Sequence, residues 1–75
     1  MTKADKLVEK LKRGKINAEE LRKLMNHFGY IYKHGKGSHE YWSNGEGIIV
    51  ISPHGKDLKP YQIRAAKKVL LGEDE

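Results

Sequence analysis

The apolar pattern of this chain changes period at Gly29, and that change limits the folds open to it more than any other feature. Before it, Leu21, Leu24, Met25 and Phe28 recur at the spacing of one helical face. After it, Tyr30-Ile31-Tyr32-Lys33-His34 has the β-branched and aromatic content of a strand. One chain therefore has to join a helical layer to a sheet.

The helices are marked at both ends. Ala4, Leu7, Val8 and Leu11 form an apolar stripe that ends at Lys12, Arg13 and Gly14, predicting a first helix over 3–13. Asn17 and Glu20 form a capping box, and Ile16 and Leu21 a hydrophobic staple, so a second helix runs from there to Gly29. Pro60 suits the first turn of a last helix, whose buried stripe is Ile63, Ala66 and Leu70 and whose end is Gly72.

Between them lie a strand over 30–34, a Gly35-Lys36-Gly37 turn, a strand over 38–43, an Asn44-Gly45 hairpin turn and a returning strand over 47–52. A loop, Pro53 to Asp57, leads to the last helix. The expected fold is α+β, a two-layer sandwich of order α-α-β-β-β-α with the helices on one face of a three-stranded antiparallel sheet. A two-residue Asn44-Gly45 turn sets Trp42 opposite Gly47, Tyr41 opposite Ile48 and His39 opposite Val50. His39 and Tyr41 then share one face, and Ser38, Glu40 and Trp42 the other. The third strand is apolar on both sides, so the pattern leaves open which face is buried, and a bulge would invert the parity.

At 75 residues the chain has room for one small domain, 1–75, with 3–13 as an extra N-terminal helix and 73–75 as an acidic tail. The absence of cysteine removes disulfides and thiolate metal sites and fits a reducing, cytoplasmic setting. The longest aliphatic run, Ile48 to Ile51, is far short of the ~20 residues a membrane span needs, and no apolar signal segment opens the chain. Net charge is +5, and setting aside the acids Glu73, Asp74 and Glu75 leaves +8 on the rest. A unit this basic attracts polyanions, of which RNA is one.

Lys33-His34-Gly35-Lys36-Gly37-Ser38-His39 is the candidate site. Glycines let backbone N–H groups approach a phosphate, Lys36 adds charge, Ser38 adds a hydroxyl, and an imidazole, with a reference pKa of ~6.5, exchanges protons near neutrality. Such a set matches what RNA strand cleavage needs, a base for the 2′-hydroxyl and donors for the developing phosphorane charge, with no metal or other cofactor required. The plainer reading is a glycine turn followed by a histidine that only packs. Four histidines separated by 7, 5 and 15 residues match no usual zinc spacing.

Phe28-Gly29-Tyr30, Gly37-Ser38-His39, Asn44-Gly45, Pro53-His54-Gly55 and Leu58-Lys59-Pro60, in this order over 17–71, resemble the HicA family of bacterial toxin ribonucleases, also described as YcfA-like. The resemblance implies a fold like the double-stranded RNA-binding domain, metal-independent cleavage of messenger RNA with His39 as the essential residue, and a HicB-like antitoxin partner that blocks the active site. Many family members carry a second histidine directly after the first, where this chain has Glu40. Lys33, Lys36, Gly37, Ser38, His54, Lys56, Lys59 and Arg64 are the candidate RNA contacts, His54 also being a candidate second proton-transfer group or a plain loop histidine. Lys67 and Lys68 extend the basic face or simply complement the helix dipole. His27 suits its helix end, and Trp42 is the first choice for the core among Tyr30, Tyr32, Tyr41 and Trp42. The alternative to a toxin nuclease is a non-catalytic double-stranded RNA-binding module of the same fold.

Overall fold

The computed structural model describes residues 2–72, so the acidic tail lies outside the described residues. Six elements follow in the expected order: α1 (Lys3–Arg13), α2 (Ala18–His27), β1 (Ile31–Lys36), β2 (His39–Ser43), β3 (Ile48–Ile51) and α3 (Pro60–Leu71). The three strands form one antiparallel sheet in the order β1-β2-β3.

Local chemistry sets the helix ends. The Asn17 side chain accepts from the Glu20 amide at 2.8 Å, and the Glu20 carboxylate accepts from the Asn17 amide at 3.1 Å, the predicted capping box. Gly14 ends α1 at φ 71°, where its amide and that of Lys15 close back on the last turn. The stripe of α2 departs from expectation at Phe28, which is 38% exposed, while Tyr30, beyond the helix, is buried at 7%. Phe28 is the C-cap of α2, and Gly29 at φ 90° turns the chain so that Tyr30 takes the core position instead.

Leu11, Ile16, Leu21, Leu24, Met25, Trp42, Ile49, Ile51, Ile63, Ala66 and Leu70 share one core with Tyr30. Its sheet side is Trp42, Ile49 and Ile51, which settles the face that the pattern left open. Helices cover the Glu40–Trp42 face, and His39 and Tyr41 point away from them. Of Tyr30, Tyr32, Tyr41 and Trp42 only Tyr30, just before β1, and Trp42 are buried. Helix α1 packs against α2 and α3, so it enlarges the helical layer and leaves the outer sheet face uncovered.

Both hairpins differ from the expected register. The observed pairs are Trp42 with Ile49 and Tyr41 with Val50, a shift of two residues from the expected partners Gly47 and Ile48. The cause is Asn44, whose side-chain oxygen accepts from the amides of Glu46 and Gly47 at 2.9 and 2.7 Å and so holds a four-residue loop, 44–47. A shift of two preserves the face of every side chain, so Trp42 stays in the core beside Ile49 rather than over a glycine. In the first hairpin, β1 continues through Lys36, which pairs with His39, and the turn shrinks to Gly37-Ser38 with Gly37 at φ 63°. A bulge between Tyr32 and His34 falls in β1, leaving the alternation of β2 intact.

Leu24 is fully buried at the centre of the α2 packing face. Leu24→Ala is expected to cost about 2–5 kcal/mol, read as a lower urea midpoint at unchanged slope.

Candidate functional site

The tip of the β1–β2 hairpin and the end of β3 build the site. Lys36 and His39 face each other across the last pair of the ladder, both exposed on the open side of the sheet. Gly37 and Ser38 form the turn between them. The Ser38 hydroxyl lies 3.2 Å from that of Ser52, which follows β3, so the tip is tied to the third strand. Among the described residues the His39 side chain has no hydrogen-bond or ion-pair partner, leaving its imidazole open to solvent.

Ser52 is itself anchored from behind. The buried Gln62 side chain accepts from the Ser52 amide and donates to the Ser52 carbonyl, both at 3.0 Å. A two-pronged amide clamp of this kind fixes where β3 ends, because breaking it would strand a buried polar group. Gln62 was not among the candidate residues. Its signal was a polar residue four and eight positions before the buried Ala66 and Leu70, on the apolar stripe of α3.

Glu40, next to His39, points to the helical side. Arg22 of α2 donates to it twice, from Nε at 3.0 Å and from a terminal nitrogen at 2.5 Å, and Trp42 Nε1 donates at 3.2 Å. The Arg22 hydrogen bond, against partial desolvation and aided by Trp42, holds the Glu40 carboxyl below the usual carboxylate range. The same pair raises Arg22 above its ordinary value. Glu40 is thus the link between β2 and α2, and its orientation keeps it off the His39 face.

The other candidates are spread more widely. Lys33 sits in the β1 bulge and, with His34, Tyr41 and Ile48, lines a shallow groove of about 290 Å³. The rings of His34 and Tyr41 stack at 4.4 Å along it. His54 and Lys56 belong to a tight turn in which the His54 and Asp57 backbones bond each other twice at 3.0 Å, and the Lys56 carbonyl accepts from the Ala18 amide at 2.8 Å. His54 is exposed and, among the described residues, has no hydrogen bond or ring contact with His39. Lys59 is the N-cap of α3, and Arg64 stands on its exposed side, as does Lys68, whereas Lys67 is half-buried. Lys36, Gly37, Ser38 and His39 form a compact group at the hairpin tip.

The HicA toxin family of bacterial toxin–antitoxin systems matches this chain over residues 18–70. The chain belongs to that family. Its members are toxins, and membership implies an antitoxin partner. No curated protein and no solved structure matches the chain. Helix α1 lies outside the matched residues. Among the described residues no helix is long and apolar enough to cross a membrane.

The lowered Glu40 carboxyl gives stability a defined pH dependence. In the unfolded chain this group titrates near ~4.3, so it binds more protons than the folded state, and its contribution is fully present above that value. The contribution is lost as the pH falls through the lower folded value. Glu40→Gln is expected to lower stability at pH 7 by roughly 1–3 kcal/mol and to flatten the acid limb of the stability profile, measured by urea unfolding between pH 7 and 3.

Proposed function

We propose that this chain is an endoribonuclease toxin that cleaves messenger RNA, with His39 as its proton-transfer residue. The observation that carries this reading is an exposed, unpartnered imidazole at a hairpin tip beside Lys36, Gly37 and Ser38 in a chain of a toxin family. In the proposed reaction His39 takes the proton of a 2′-hydroxyl, and its oxygen forms a bond to the adjacent phosphorus. The bond from phosphorus to the 5′-oxygen breaks, and that oxygen leaves with a proton from solvent or a second acid. The products are a 2′,3′-cyclic phosphate and a free 5′-hydroxyl.

Lys36, the Gly37 amide and the Ser38 hydroxyl are proposed to meet the phosphate as charge builds on it. Lys33, His54, Lys56, Lys59 and Arg64 are proposed contacts to flanking phosphates, which position the strand without reading its sequence. The open sheet face also exposes Ile48 at 65%, Ile31 at 56% and Val50 at 43%. Such an apolar surface beside a basic tip suits a protein partner better than RNA, and we assign it to a HicB-like antitoxin that covers His39 when bound.

A non-catalytic RNA-binding module is the second reading, favoured by the commitment of Glu40 to Arg22, which leaves no second proton-transfer group directly after His39. Incubation of RNA with homogeneous protein in EDTA separates the two. The nuclease reading expects cyclic-phosphate ends and a loss of at least a hundredfold in rate for His39→Ala with the fold retained. Equal cleavage by His39→Ala would remove His39 from the mechanism, and binding without turnover by the wild type would leave the binding module.

A further inference from the structure

A second basic surface lies in the helical layer, away from the sheet face that carries His39. Lys3, Lys6 and Lys10 of α1 and Lys23 of α2 line a groove of about 250 Å³ with Leu7 and Glu20. All four lysines are exposed, and Glu20, the acid of the groove, is already taken: Lys10 donates to it, and that contact holds its carboxyl below the usual range. Lys23 has a long 4.0 Å pairing with Glu19, while Lys3 and Lys6 have no acid partner among the described residues. The groove therefore holds more positive charge than its own carboxylate offsets.

The placement of these lysines is electrostatically unfavourable for the isolated helix. Lys3 is the first residue of α1 and Lys6 is still near its N-terminus, the end where the macrodipole is positive and anions are favoured. A polyanion laid in the groove relieves both the mutual repulsion of the lysines and their conflict with the dipole. Lys3 to Lys10 spans about 10 Å along the helix at 1.5 Å per residue, long enough to meet more than one phosphate of a strand.

We propose that the α1–α2 groove is a second RNA site, which holds phosphates of a segment other than the one at His39 and does not read sequence. The nature of its lining supports the last point. Among the described residues its lining has no aromatic ring to stack on a base and no Arg, Asn or Gln to pair with a base edge, and its cations are ammonium groups that act as point charges. It is built partly from residues outside the family match. RNA as the ligand rests on the function proposed above, but the site does not depend on cleavage.

The test is binding of a 2′-O-methyl single-stranded RNA, which cannot be cleaved through its 2′-oxygen, to the full chain over a series of salt concentrations. Lys3→Gln/Lys6→Gln/Lys23→Gln keeps good helix formers and leaves Lys10 and Glu20 in place. Its expected effects are a loss of at least tenfold in affinity at 0.1 M salt and a salt slope smaller by about 2, at about 0.7 per lost phosphate contact. Lys12→Gln/Arg13→Gln/Lys15→Gln removes the same charge from residues that do not line the groove and is expected to change both values much less. Equal losses in the two variants would reduce the effect to net charge and overturn the site. Unchanged RNA binding by the first variant, loss only of binding to polyglutamate, or no RNA binding by the wild type would each overturn it too. Because this RNA is not cut, failure of the His39 nuclease reading leaves these outcomes separately readable.

Discussion

A three-stranded sheet covered by one layer of helices buries only one of its faces, and nearly every functional property of this chain depends on which one. Trp42, Ile49 and Ile51 turn toward Leu21, Leu24 and Met25 and become core. Strict alternation along β2 then sends His39 and Tyr41 outward. Had the parity been reversed, the imidazole would be buried without a partner and the indole would face water, and both exchanges are unfavourable. The exposure of the candidate site is thus a consequence of the packing of Trp42.

Two polar links hold the site end of the sheet to the helices. Arg22 grips Glu40 on β2, and Gln62 grips Ser52 after β3. Each reaches its partner through more than one hydrogen bond, so each sets orientation as well as distance. Glu40 is a structural residue. Where many of its family have a second histidine, this chain has a carboxylate that faces inward and joins a strand to a helix. The chemistry proposed for the hairpin tip therefore rests on His39 with Lys36, Gly37 and Ser38, and a further proton donor has to come from elsewhere.

The distribution of charge follows from the same layering. The tip of the sheet presents Lys36 beside His39, and the helical layer presents Lys3, Lys6, Lys10 and Lys23 on another side. Between them the open face exposes Ile31, Ile48 and Val50, surface that a monomer leaves costly and a partner can cover. The function proposed for this chain needs surface for both RNA and an antitoxin, and this fold has room for them on different sides.

Much of the architecture was legible in the linear pattern. The caps at Asn17 and Gly14, the period change at Gly29 and Pro60 all depend on neighbours within a few residues, so the six elements and their order could be read from them. The five short motifs likewise carried the family. What required the folded chain was everything that depends on residues distant in sequence. The buried face was ambiguous because β3 is apolar on both sides. The hairpin register turned on how one Asn44 oxygen was used, which a strong two-residue turn signal concealed. Arg22 and Glu40 lie 18 positions apart and Gln62 and Ser52 ten apart, separations at which no local periodicity operates. By itself the sequence determined the elements and the chemistry of each side chain; only tertiary packing decided which side chains meet, because burial and pairing are properties of surfaces brought together across the chain.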